Sequence, residues 1–345
     1  MGVSRHRDAE RLARDLIASM ERPREDDWLS FQQEFEDHHL KSQSKNYRAS
    51  FVPAARKLEN LCNPKRVSDV TPLMLARFHT RMREAGLANT TAASYLRQLR
   101  ITINWAAEHG YLEQRVKVVV PRVDEDEEMK GRPLSLEELE RLLKAAGKLL
   151  GVHAAPMESM LRGYWLSGLR RTEGYLLSWD NSEELLVVKI DGRRPMVEIP
   201  TKLDKGRKRR TLSLTPDFVE HLRSLPNREG RVYRPLTKQG RVVRSVDTLG
   251  VLISDIGATT NIVTKPGRHP TVHDLRRSFG ERWAARVTPP VLKELMRHRD
   301  IKTTLKYYVG QSAERTANQV WDVFERSQGG VLGGAREPAA EANRS

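Results

Sequence analysis

The chain has 345 residues, enough for two hydrophobic cores. Lysine and arginine number 60 against 45 aspartate and glutamate, a net charge of +15, which favours polyanionic partners, nucleic acid first and acidic membrane surfaces second. No apolar run approaches the roughly 20 residues of a membrane span, no signal-peptide core opens the chain, and the single cysteine, Cys62, excludes an intrachain disulfide and fits a reducing compartment.

Residues 1–24 read as a short N-terminal extension of mixed charge. Residues 25–112 carry helical periodicity throughout. Asp26 or Asp27 starts a helix with Trp28, Phe31 and Phe35 on one face. A second covers Tyr47 to Cys62, with Cys62 as a small apolar filler. Thr71 as N-cap and Pro72 at the first helical position start a third, closed by Gly86. Asn89 or Thr90 opens a fourth, stopped by Gly110. This region is expected to be an all-helical bundle. Residues 113–134, with Pro121, an acidic run and Pro133, have no periodicity and form a linker.

A second domain is expected over 135–326. Ser135 and Glu138 have the spacing of a capping box, opening a helix to about Leu150. Another helix ends near Gly168, and a further one starts around Arg170. The period then changes to short β-branched runs (LLVVKI, MVEIP, RTLSL), which predict a three-stranded antiparallel sheet near 184–214. Helical patterns resume at Pro216, Val246, His273, Pro289 and Thr303, with a last helix near 312–326. Residues 327–345 are Gly/Ala/Pro-rich and are expected to be disordered. The fold class is mainly α with a small antiparallel β-sheet (α+β).

Several residues in this second half carry chemistry. Arg170 stands just past Gly168 at a helix start, where a guanidinium can fork onto phosphate oxygens. Glu173, three residues on, shares its face and can hold it. The loop 201–210 carries Lys202, Lys205, Arg207, Lys208, Arg209 and Arg210, a cluster suited to a nucleic-acid backbone. A lysine there can also protonate a leaving alkoxide. His273 and Arg276 share a helical face at i,i+3. His269 and His273 have a zinc-like HxxxH spacing, but Pro270 breaks the turn between them, and no metal is assigned. His298 follows an apolar face, and Tyr307 and Tyr308 lie nine and ten residues beyond it.

The order of these residues resembles that of the tyrosine recombinases, the phage integrase family. The resemblance is carried by SGLRRTE at 167–173, TKLDKGRKR at 201–209, HDLRRSF at 273–279 and HRDIKTTLKYY at 298–308. It implies a helical core-binding (SAM-like) domain over 25–112 and a catalytic domain over 135–326. In that pattern Arg170, Lys202, His273, Arg276 and His298 activate a phosphodiester, Glu173 supports them, and Tyr307 is the nucleophile. Lys205 and Tyr308 compete with Lys202 and Tyr307 for those roles. Arg97 and Arg100 of the fourth helix, with Lys205, Arg207, Arg209 and Arg277, are the expected DNA contacts. One departure is Met296-Arg297-His298, where the family often has Leu-Gly-His.

The resemblance further implies site-specific strand exchange through a 3′-phosphotyrosyl intermediate, with neither metal, cofactor nor ATP. The implied partners are double-stranded DNA with recombination sites, other copies of the chain in a tetramer on DNA, and DNA-bending accessory factors, with no membrane. The implied location is cytoplasmic and nucleoid-associated, bacterial or phage. The apolar face of the helix near 312–326 (Val320, Trp321, Val323, Phe324) suits core packing or docking into a neighbouring protomer. Two other functions fit parts of the pattern: type IB topoisomerase-like relaxation, and DNA binding without catalysis.

Overall fold

The computed structural model describes residues 27–122, 131–203 and 209–308, together with positions 321 and 324. The chain divides into two compact units, Met1–Glu127 and Glu128–Ser345. The N-terminal extension, the acidic part of the linker, Lys205 and Arg207, and the C-terminal tail lie outside the described residues.

The first unit is helical because its start signals and apolar spacing agree. Helix α1 (Trp28–His38) is capped by the Asp27 carboxylate, which accepts from Ser30 N at 2.9 Å. Helix α2 (Lys45–Cys62) is capped by Ser44 and ends on Asn63 in the left-handed region. Helix α3 (Pro72–Glu84) is capped by Thr71 with Pro72 in the first turn. Helix α4 (Asn89–Glu108) follows. Trp28, Phe31, Phe35, Phe51, Phe78, Leu96 and Leu99 are sealed from solvent, each stabilising the fold by about 1.5–3 kcal/mol. Phe35 packs tilted against Phe51 and edge-on against Trp105, at centroid distances of 5.0 and 5.3 Å, and stacks on Phe31.

In the second unit, α5 (Leu136–Leu150) opens on a formed capping box between Ser135 and Glu138. Helix α6 (Ala155–Ser167) ends on Gly168, at φ 59° and ψ 21°. Only glycine fits there: the dihedral is left-handed, and a Cβ would run into the Phe279 ring. The one-turn helix α7 (Arg171–Tyr175) leads into strands β1 (Leu177–Ser178), β2 (Leu186–Lys189), β3 (Met196–Ile199) and β4 (Arg210–Ser213). The sheet runs in the order β1-β2-β3-β4. β2, β3 and β4 pair antiparallel, in the registers Val188↔Val197 and Val197↔Leu212. The sheet differs from the expected three-stranded antiparallel one because β1 adds a parallel pairing, Leu177↔Leu186. Two residues are too few to show the alternation by which a strand is read.

Helices α8 (Pro216–Arg223), α9 (Val246–Ala258), α10 (Val272–Ala284), α11 (Pro289–Met296) and α12 (Ile301–Leu305) complete the described unit. Its core joins α5, α6, α8, α9 and α10 to the sheet through residues such as Leu142, Met160, Leu161, Leu177, Val197, Phe218, Ile253 and Leu275. A smaller cluster of Phe279, Leu292 and Met296 lies under Tyr307 and Tyr308. No helix among the described residues is long and apolar enough to cross a membrane.

Candidate active site

Arg170 is the N-cap of α7. Its backbone N–H donates to Glu173 Oε2 at 2.7 Å, and one arm of its guanidinium to Glu173 Oε1 at 2.8 Å. The other arm donates to the backbone carbonyl of Arg297 at 2.8 Å. The Arg170 side chain stays 48% exposed, so this hydrogen bonding aims it without closing it off. Burial alone would raise the Glu173 carboxyl, but Arg297, the Arg170 N–H and the charges of Arg170 and Arg276 bring it below its usual range.

Arg276 is buried on α10 and donates to the carbonyls of Gly168 and Met296. Desolvation first, then the charges of Arg297 and Arg170, lower it to about 9, which still leaves it cationic at neutral pH. Arg170, Arg276 and His273 line one cleft of about 370 Å³, together with Thr172, Ser254 and Thr271. His273, three residues before Arg276 on α10, keeps part of its surface open to solvent. Burial of the rest, with Arg277 and Arg276 nearby, depresses it to about 4.

His298 follows the end of α11. Its Nδ1 lies 2.9 Å from the hydroxyl of Thr304, which orients the ring. Burial, then Arg276, Arg170 and Arg297, depress it to about 4, so both histidines are neutral at pH 7. The Tyr307 ring stacks on His298, with centroids 6.1 Å apart and planes 12° from parallel. It also seats over Gly280, where a Cβ would stand 2.6 Å from Tyr307 Cε1. Burial raises the Tyr307 phenol, and Arg276 and Arg277 oppose the rise. Its hydroxyl has no hydrogen bond among the described residues, whereas that of Tyr308 donates to the carbonyl of Val287 at 2.7 Å. Among the described residues, therefore, the two adjacent tyrosines differ: the Tyr307 phenol has no hydrogen bond and the Tyr308 phenol is anchored.

The structure thus gathers Arg170, Glu173, His273, Arg276, His298 and Tyr307. Among the described residues, Lys202 makes no contact with them. It lies just after β3, exposed, with Nζ 3.3 Å from Glu184. Arg209 is likewise exposed and pairs with Glu183 at 3.3 Å. Arg97 and Arg100 occupy the solvent face of α4, in the first unit. Arg277 requires a correction: it is buried and ion-paired with Asp274 at 2.6 Å, so it does not present a charge to DNA. The Asp274 carboxylate that holds it also caps α10 through Thr271. The i−3 spacing of Asp274 was the signal for this, since such pairs meet on a helix.

Sequence reading missed two contributors. Thr304, on α12, orients His298, and nothing in its neighbourhood marks it. Arg297 does not reach outward: its side chain is 13% exposed and contacts Glu173 at 3.0 Å. The departure from Leu-Gly-His marked the position, since glycine there would serve a left-handed helix end, but nothing local shows that the arginine folds inward.

A family model described as the phage integrase family matches residues 132–315, and one described as a phage integrase SAM-like domain matches 28–118. No curated protein matches the chain. Among solved structures, a lambda integrase dimer bound to a COC′ core site aligns at TM-score 0.59 and 14% identity, covering 86% of this chain and 82% of that one. A lambda integrase tetramer bound to a Holliday junction aligns at TM-score 0.60 and 14% identity, covering 85% and 80%. The Tn1549 transposon integrase in complex with transposon right end DNA aligns at TM-score 0.55 and 19% identity, covering 85% and 98%. At these identities the likeness is one of fold.

Proposed function

This chain belongs to the phage integrase family, and on that premise we propose that it cuts and rejoins double-stranded DNA at specific sites through a covalent bond to Tyr307. The observation that carries the assignment is the convergence of two arginines and two neutral histidines on a tyrosine whose hydroxyl has no hydrogen bond among the described residues.

The chemistry follows from the charges. A phosphodiester under attack gathers negative charge on its non-bridging oxygens. Arg170 and Arg276 meet those oxygens, and His298, with Nδ1 accepting from the Thr304 hydroxyl, donates its one ring N–H from Nε2; one such preorganised donor contributes about 10²–10³ in rate. A free phenol has a pKa of about 10 and burial raises Tyr307 further, so attack needs an acceptor for its proton. His273, neutral and facing the cleft, is suited to take or position that proton. The Tyr307 oxygen bonds to phosphorus as the bond to the 5′ oxygen breaks, and Lys202 gives that oxygen a proton. For this role Lys202 exchanges the Glu184 carboxylate for the leaving oxygen. The products are a 3′-phosphotyrosyl linkage and a free 5′ hydroxyl. Rejoining reverses the step. Because the phosphotyrosyl linkage keeps the energy of the broken phosphodiester bond and side-chain cations neutralise the charge, rejoining needs neither ATP nor metal.

The same reading gives the first unit the task of gripping DNA. Arg97 and Arg100, one turn apart on the outer face of α4, reach phosphates or base edges. Exchange between two duplexes takes four cleavages, so we assign the working form as a tetramer on DNA, acting where chromosomal or phage DNA is handled. Of the C-terminal helix expected over 312–326, only Trp321 and Phe324 are described. Both are exposed and meet edge to face at 5.9 Å, as suits docking into a neighbouring protomer.

The test is a covalent trap. Duplexes with a nick beside a randomised core release a short 5′-hydroxyl fragment, so the adduct accumulates and the trapped sequences identify the site. An SDS-resistant adduct followed by exchange between two such sites is expected. Relaxation of supercoiled DNA without exchange would instead indicate a topoisomerase, and binding without an adduct a non-catalytic regulator.

A further inference from the structure

Three guanidiniums meet at the candidate site, and the reading above uses two. We propose that Arg297 is a positioning residue: its side chain and its own backbone carbonyl fix Arg170, Glu173 and Arg276 in the arrangement that receives the scissile phosphate. This rests on the recombinase reading of the site.

The first observation is conformational. Arg297 ends α11 at φ 54° and ψ 44°, in the left-handed region that side chains other than glycine seldom adopt. Such conformations persist where the surroundings over-determine them, and they concentrate at functional sites. Here the turn brings consecutive carbonyls to the two activating arginines. Met296 O accepts from Arg276, and Arg297 O accepts from Arg170 at 2.8 Å.

The second observation concerns the side chain. It folds back under the turn and donates to Leu295 O at 2.7 Å, Gly168 O at 3.0 Å and Glu173 Oε2 at 3.0 Å. Both of the last two acceptors are shared. Gly168 O also accepts from Arg276, and Glu173 also holds Arg170. Arg297 therefore connects the supports of both activating arginines. Among the described residues its Nε is buried without a partner, and an unpaired buried donor is costly, so the inward rotamer is not chosen for its own hydrogen bonding alone.

The third observation is charge. One carboxylate, Glu173, faces three guanidiniums. With Oε2 on Arg297 and Oε1 on Arg170, the carboxylate is divided between them, and Arg170 keeps charge for a phosphate. Without Arg297, Glu173 would close entirely on Arg170 and compete with the incoming anion.

Arg297→Gly is the informative variant, because glycine takes the left-handed turn freely and only the guanidinium is lost. Arg297→Asn is the second variant, since asparagine also tolerates that region. On the duplex recovered from the trap, both should slow adduct formation by about 10- to 100-fold, as a misplacement of reacting groups by about 1 Å can. DNA affinity should stay within about twofold. Arg297→Lys should not rescue, lacking the fork that spans two acceptors. Combination with Glu173→Gln should cost less than the product of the single effects. A readout independent of DNA is the ¹³C carboxyl titration of Glu173, whose midpoint should rise in Arg297→Gly. A wild-type adduct formed equally fast by Arg297→Gly, or an unmoved Glu173 titration, overturns the proposal. Absence of a wild-type adduct defeats the recombinase reading instead, and the titration still decides whether Arg297 holds Glu173.

Discussion

The two units are built from opposite materials. Among the described residues, the first buries one polar side chain, Thr102, beneath a cluster of Trp28, Phe31, Phe35, Phe51, Phe78 and Trp105. The second buries Glu138, Asp274, Arg276 and Arg277 along with its apolar core. An apolar core is forgiving in chemistry and demanding in volume. A buried charge network stabilises weakly for what it desolvates, and it fails sharply when one partner is removed. The contrast therefore separates a unit organised for stability from one that gives up stability to hold cations in a fixed array.

Mutation can break this comparison most severely in the aromatic core. Phe35→Ala should lower unfolding free energy by about 3–5 kcal/mol, read in urea melts, while the adduct formed per folded molecule stays near wild type. A large loss of cleavage in the molecules that remain folded would erase the distinction between the units. Arg276→Lys tests the other side. It should slow adduct formation by about 10²–10³-fold in stopped-time gels, because lysine cannot hold the carbonyls of Gly168 and Met296 and a phosphate together.

A smaller effect is expected from pH. The unfolded chain takes up protons on His298 near the ordinary histidine value of about 6.5, whereas burial among arginines makes the folded chain resist until about 4. Between those values the unfolded state binds more protons, so stability falls as pH drops through that window. Glu173, held below its usual range, adds a loss of the same sign at the acid end. His298→Asn should flatten the melting-temperature profile above pH 4; an unchanged slope would mean that burial does not suppress the charge of His298. The smallest effect should come from Arg97→Ala and Arg100→Ala. Stability should move by no more than about 0.5 kcal/mol, while the salt dependence of DNA binding loses a slope of about 1 per phosphate contact removed.

Much of this contrast was legible in the sequence, and the reasons are local. Trp28, Phe31 and Phe35 recur at helical spacing, and Ser135 with Glu138 forms a capping box that depends only on neighbours. His273 and Arg276 were readable as one helical face for the same cause. β1 was not legible, because a two-residue strand is defined by its partner. Arg276 was readable as a site residue, but Arg277 beside it reads as a DNA contact, although Asp274, three residues earlier, carried the signal for the ion pair that buries it. The fold of Arg297 beneath its own turn depends on Gly168 and Glu173, more than a hundred residues away in the chain. The pairing of Lys202 with Glu184 across the sheet is likewise a tertiary choice that its loop does not announce.

The central claim is that this array of cations serves one phenol. The most direct measurement isolates the SDS-resistant protein–DNA adduct from the trap, digests it and locates the modified tyrosine by mass spectrometry, in wild type, Tyr307→Phe and Tyr308→Phe. The account predicts DNA on Tyr307 in wild type and in Tyr308→Phe, where only the hydrogen bond to Val287 is lost, and no adduct in Tyr307→Phe. DNA carried by Tyr308, or an adduct that survives Tyr307→Phe, would contradict it.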